Sequence, residues 1–287
     1  MHYFLAFTHN INGDIMNLRT DLVSEIKQLQ TEKISGAKSK QVDYGKCNIL
    51  QVDIFTQDAA KILNRPMGKY FTLTFPRIDR LYDTSDIKEA LIFTLKKLLP
   101  VKNGNIMVVG LGNTDITPDA LGPLTANKII ATRHLDQDIK RRLGLEKLKS
   151  VSVLIPGVLG KTGIEASLTT AATIKSTNTT AVIVIDALAA ANNERLCTTL
   201  QLSNTGISPG SGVKNSRKEL SERTLGVPVV AIGMPTVTDA FGTEGDSFMV
   251  TPKEIDLLIK LSSEIISDSL NRFLQPDLDQ DTIATLS

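Results

Sequence analysis

Residues 106–135 read IMVVGLGNTDITPDALGPLTANKIIATRHL. A short apolar run, 106–111, enters a glycine turn; a Thr-Pro pair then precedes Asp119, and an amphipathic stretch follows. A continuous apolar run of that length fits a strand buried on both faces, and the stretch after it fits a helix laid on a sheet. The succession recurs along the chain. Strand-like runs stand at 48–55 (NILQVDIF), 70–75 (YFTLTF), 151–156 (VSVLIP), 181–186 (AVIVID) and 227–233 (VPVVAIG). Helical patterns occupy 85–99, 123–133, 164–176 and 252–274. This βαβ alternation predicts an α/β fold with a mostly parallel, doubly wound sheet.

Composition narrows the function classes. The 287 residues are 41% hydrophobic, enough for a sizeable core, and no apolar run approaches the ~20 residues of a membrane span. The N-terminus lacks the basic region and cleavage site of a secretory signal. A net charge of +1 supplies no field for nucleic acid, and the absence of Trp disfavours a base-stacking platform. Cys47 and Cys197 stand alone, without the spacing of a structural zinc site, which suits a reducing compartment. Residues 197–226 form a polar excursion between two core strands, either a surface loop or a binding element. The tail, 275–287, is expected to fray.

In an open α/β sheet, ligands bind outside the carboxyl ends of the parallel strands. That rule selects two carboxylates: Asp119, eight residues past Leu111, and Asp186, which closes AVIVID. Asp119 alone reads as a first-turn helix residue, with Thr117 as N-cap and Pro118 at N1. Asp186 after an apolar run needs a partner or a task, since a lone buried carboxylate is costly; Arg133 and Arg195 are the candidate ion-pair partners. Two adjacent carboxylates share a proton, so one activates water while the other donates to a carbonyl oxygen. Asn113 and Thr117 are candidates to orient them. The loop 204–215, with Thr205, Gly206, Gly210, Ser211 and Gly212, is the candidate cleft lining and source of oxyanion donors.

Two other readings compete. Asp119, Asp186 and His134 can together hold a divalent cation in a metal-dependent peptidase or maturation factor. The run 155–162, IPGVLGKT, has the strand–turn–helix context of a phosphate loop, but Ile155 stands where the first glycine belongs. A non-catalytic or nucleotide-binding protein is the reading from another class.

The stretches 110–135, IPGVLGKTGIEASLTT (155–170), 182–240, MVTPKEIDLLI (249–259) and LRTDLVSEI (18–26) together resemble the germination protease family of spore-forming bacteria. The resemblance covers most of residues 18–270. It implies a three-layer, phosphorylase/hydrolase-like α/β sandwich related to hydrogenase-maturation peptidases, spanning 18–274 as one domain. It further implies an endopeptidase without cofactor, cutting small acid-soluble spore proteins in the forespore or spore-core cytoplasm, with no membrane or nucleic-acid partner. A tetramer made as a zymogen is implied too, with residues 1–17 as candidate prosegment. The family's catalytic aspartates fall in TPDALGP and IDALAA, that is, on Asp119 and Asp186. Two departures are visible: only FGTEGDSF (241–248) stands where the family carries a long insertion, and Ala191 replaces a basic residue.

Overall fold

The structure, a computed structural model, describes residues 20–26, 34–99, 104–142, 144–210, 217–241, 247–278 and 283. The strands are β1 (Ala37–Tyr44), β2 (Cys47–Ile54), β3 (Gly68–Thr74), β4 (Asn105–Gly110), β5 (Ser150–Leu154), β6 (Thr179–Ala190), β7 (Thr199–Ser203), β8 (Val229–Phe241) and β9 (Ser247–Val250). They form one sheet in the order β1-β2-β3-β7-β8-β6-β4-β5, with β9 paired to the far end of β8. Parallel pairing is confined to β5-β4-β6-β8; all other neighbours are antiparallel. The parallel character expected of most of the sheet thus belongs to the half that carries the helical crossovers. The rest is built from the β1–β2 hairpin and from neighbours running in opposite directions.

Helices cover both faces. In chain order the helices are α1 (Gln57–Leu63), α2 (Ser85–Leu98), α3 (Leu121–Ala126), α4 (Gln137–Arg142), α5 (Leu159–Thr162), α6 (Ala166–Thr177), α7 (Glu222–Leu225) and α8 (Ile255–Leu274), and the packing sorts them. Leu91 and Leu95 of α2 and Leu258, Ile266 and Leu270 of α8 bury against Phe71, Leu73, Ile106, Val108 and Ile183. Ile174 of α6 and Leu225 of α7 bury against Met107, Val109, Val182 and Val184 on the opposite face. Alternate residues of β4 and β6 therefore enter opposite layers, as a strand's period of two requires. Each fully buried Leu or Ile contributes about 1.5–3 kcal/mol.

The helix expected over 123–133 stops at Ala126. Beyond it, the Ile130 N–H donates to Asn271 Oδ1 at 3.0 Å, and Asn271 Nδ2 donates to the Lys128 carbonyl at 2.9 Å. The side chain of α8 thus replaces the helical bonds this stretch gives up. The polar excursion at 197–226 also differs from expectation: it contains β7, whose Leu200 and Leu202 are fully buried. Past α8 the chain is not simply a fraying tail, since Gln275 and Ile283 are buried.

Candidate active site

Strand β4 ends at Gly110, opposite Ile185, while β6 and β8 run on beside each other to Ala190 and Thr238. Asp186 therefore does not close its strand. It lies on β6 one residue past the point where β4 leaves the sheet, and the Leu111 N–H still donates to the Ile185 carbonyl at 2.8 Å. From there the chain folds back through a tight loop. Asn113 Oδ1 accepts from the Asp115 N–H at 3.1 Å, the Asp119 N–H donates to the Ile116 carbonyl at 2.7 Å, and the Asn113 N–H donates to the Asp119 carbonyl at 3.1 Å. Two glycines make the return possible. A Cβ on Gly112, whose φ is +120°, would stand 2.0 Å from the Asp119 carbonyl oxygen. One on Gly122 would stand 2.2 Å from the Leu111 carbonyl oxygen and 2.5 Å from that of Ile185. The start of α3 thus rests directly on the strand ends and delivers Asp119 beside Asp186.

Both carboxylates line one cavity of about 590 Å³. Asp186 is 5% exposed, and its Oδ1 accepts from the Ala187 N–H at 2.9 Å. Burial raises its pKa well above the ordinary range; the Asp119 charge and then that of Asp21 add to the rise. Asp119 is half-buried and is pushed up to about 6, by burial, against a backbone hydrogen bond from Asn113. The arrangement keeps a proton on the deeper carboxyl and leaves the outer one to ionise near neutrality.

A third carboxylate, Asp21, lines the same cavity. Its N–H donates to the Ala189 carbonyl at 3.1 Å, and its Oδ2 accepts from the Ala189 N–H at 2.9 Å. Gln201 holds the segment from below, donating to the Asp21 carbonyl at 2.8 Å and accepting from the Val23 N–H at 2.6 Å. Glu25 accepts from the Ala191 and Asn192 N–H groups at 2.9 and 3.0 Å. No short motif announces these roles, because they depend on a backbone pairing across 168 residues.

The remaining candidates divide. Asn113 lines the cavity, though its side chain serves its own turn and its backbone serves Asp119. Thr117 does not cap α3: it opens a 3-10 turn, Thr117–Asp119, and its carbonyl accepts from the Ala120 N–H at 3.1 Å. Gly210 lines the cavity together with Ser208 and Pro209. Thr205 and Gly206 instead line a neighbouring cavity of about 660 Å³ on the other side of Asp21 and Leu188. Ser211 and Gly212, like the candidate prosegment 1–17, lie outside the described residues.

The metal set is not assembled. Thr132 and Arg133 donate to the Val151 carbonyl at the start of β5, which places exposed His134 at the amino end of the parallel strands. Asp119 and Asp186 lie past the other end, about 17 Å away along a six-residue strand. Among the described residues no group of three His, Cys, Asp or Glu side chains is placed to hold a metal. Arg133 and Arg195 are not partners of Asp186 either; they donate to the Thr177 carbonyl and to Thr74 Oγ1. Lys161 of the phosphate-loop-like run pairs with Asp115, although Gly157–Gly160 do line the cavity.

Comparisons with known proteins identify the family of the chain. The family model described as germination protease matches residues 15–247. A germination protease of Clostridium tetani is 37% identical, covering 93% of this chain and 98% of that one. One from Caldanaerobacter subterraneus subsp. tengcongensis is 35% identical over 93% and 97% of the two chains. One from Bacillus velezensis is 40% identical over 90% and 72%. Among solved structures, the [NiFe] hydrogenase maturation protease HycI from Thermococcus kodakarensis KOD1 is similar at a TM-score of 0.38 and 18% identity, covering 62% of this chain and 98% of that one. With the model matched over most of its length and relatives well above 30% identity at nearly full coverage, this chain belongs to the germination protease family.

Proposed function

We propose that this germination protease hydrolyses peptide bonds with the Asp119–Asp186 pair. The observation that carries the reading is the placement of both carboxyls in one cavity at the end of β4, one buried and one half-buried. Ionised Asp119 takes a proton from a water molecule, whose oxygen attacks the scissile carbonyl carbon. Asp186 gives its proton to the carbonyl oxygen as the tetrahedral intermediate forms. When the C–N bond breaks, the amine leaves with the proton Asp119 acquired, and Asp186 recovers its own from the collapsing hydroxyl. No residue of this scheme becomes covalently bound to substrate.

The natural substrates in this reading are small acid-soluble spore proteins, cut in the spore interior at germination. The enzyme acts as a homotetramer, after removal of a prosegment within residues 1–17. The family resemblance supports these three points. None of the helices among the described residues is long and apolar enough to cross a membrane.

The test is cleavage of a small acid-soluble spore protein by the purified chain under exhaustive chelation. Asp119→Asn and Asp186→Asn should each lower kcat by at least about 10³-fold, and the double variant should be scarcely worse, because the pair acts as a unit. Near-normal turnover by either folded variant overturns the assignment. Activity lost to chelation and restored by a divalent ion replaces it with a metal-dependent reaction.

A further inference from the structure

Strand β8 carries a break that the two aspartates do not explain. Leu188 of β6 pairs with Pro235, but the next residue, Ala189, pairs with Val237, so Thr236 has no opposite number. Proline gives no N–H to a ladder and is confined to edges and bulges within sheets, which accounts for a bulge at this point. A bulge re-aims the side chain it carries.

Thr236 is 1% exposed, and its Oγ1 is closed to water and without a hydrogen-bond partner among the described residues. The residue nevertheless lines the cavity of Asp119 and Asp186. Its backbone is held in place, since its carbonyl accepts from Thr251 Oγ1 at 2.8 Å. Thr125, Thr170 and Ser262 turn back on carbonyls four residues earlier in their helices; Ser152, Ser167 and Thr199 also bury a hydroxyl without a partner among the described residues, but none of these three lines the cavity. A strand offers no such recourse, and an unpartnered buried hydroxyl lowers stability. Native structures rarely keep one without a reason.

We infer that Thr236 is a substrate-positioning residue whose hydroxyl bonds the backbone of a polypeptide lying across Asp119 and Asp186. The inference rests on the endopeptidase reading above. An extended peptide in a closed cleft leaves water behind and presents N–H and C=O groups that need partners, and a hydroxyl serves either as donor or as acceptor. In the free chain the hydroxyl is closed to water; on binding, a rotation about χ1 to another staggered well presents it to the cavity that Thr236 lines.

The deciding pair of variants is Thr236→Val, which keeps the shape and removes the hydroxyl, and Thr236→Ser, which keeps the hydroxyl. With a small acid-soluble spore protein as substrate, Thr236→Val should lower kcat/KM about tenfold, mainly through KM. Its melting temperature should equal or exceed that of the unaltered chain, and Thr236→Ser should restore turnover. In an Asp119→Asn background, Thr236→Val should weaken binding of the same protein by a similar factor. Unaltered kinetics and binding, a lowered melting temperature, or a loss that Thr236→Ser does not repair overturns the inference. If the unaltered chain binds but does not cut, the endopeptidase reading fails alone, and the binding comparison still judges Thr236. If it neither binds nor cuts, both fall.

Discussion

Asp119 and Asp186 are pushed in the same direction to different degrees, and the difference assigns their roles. Asp119, raised to about 6, is ionised at neutral pH, while Asp186 is raised well above the carboxylate range and keeps its proton. Activity should therefore climb as pH rises through about 6 and fall where Asp186 ionises. Stability runs the other way. Both groups titrate near pH 4 in the unfolded chain. Above that value the folded chain still binds protons the unfolded chain has released, so stability drops as pH rises through the folded pKa. Below about pH 4 both states are protonated and the penalty vanishes. Asp119→Asn, which cannot ionise, should thus melt above the unaltered chain at about pH 8, with the excess shrinking towards about pH 4. Calorimetry at the two pH values checks this; an excess independent of pH would show that burial of the charge is not what strains the site.

At the level of elements, the site depends on how closely α3 can approach the ends of β4 and β6. Gly122 sets that approach, and the atoms a Cβ would strike, the Leu111 and Ile185 carbonyl oxygens, belong to the backbone. Gly122→Ala must therefore displace α3 and with it Asp119. The expected result is a loss of about 1–3 kcal/mol of stability from overpacking. A fall in kcat of about 10²-fold should accompany it, the scale seen when reacting groups move by an ångström. Full activity in a stable Gly122→Ala chain would mean that α3 does not set the distance. The same elements show what the sequence makes legible. Strands β4 and β6 are readable because both their faces are buried, and the meeting of Asp119 and Asp186 in one cavity because each follows an apolar run of neighbouring parallel strands. The continuation of β6 through ALAA is not, since its pairing with β8 and its bonds to Asp21, both distant in sequence, hold helix-favouring residues extended. Strand β1, AKSKQVDY, is an exposed edge with lysines where a core strand would be apolar. Strand β7 hides in the polar excursion because two leucines, Leu200 and Leu202, are its whole apolar signal.

Across the whole molecule, β7 is the seam. It joins β3 of the antiparallel half to β8 of the parallel half. Tyr70 pairs with Ser203, so the two halves meet only after the chain has travelled through most of the parallel layer. One apolar layer nevertheless spans the seam: Ile49, Phe71 and Leu73 share it with Ile106, Val108 and Ile183 beneath α2 and α8. A shared layer should make the halves open together, whereas a core split at the seam would let β1–β3 exchange their amides alone. Leu202 tests this directly, for it is fully buried on β7 and lies opposite both Phe71 and Ile232. Leu202→Ala should cost about 2–5 kcal/mol. Hydrogen exchange should then quicken by one common factor in β2, β3, β4 and β6. Faster exchange limited to β2 and β3 would instead mean that the half bearing Asp119 and Asp186 is stable without its antiparallel neighbour.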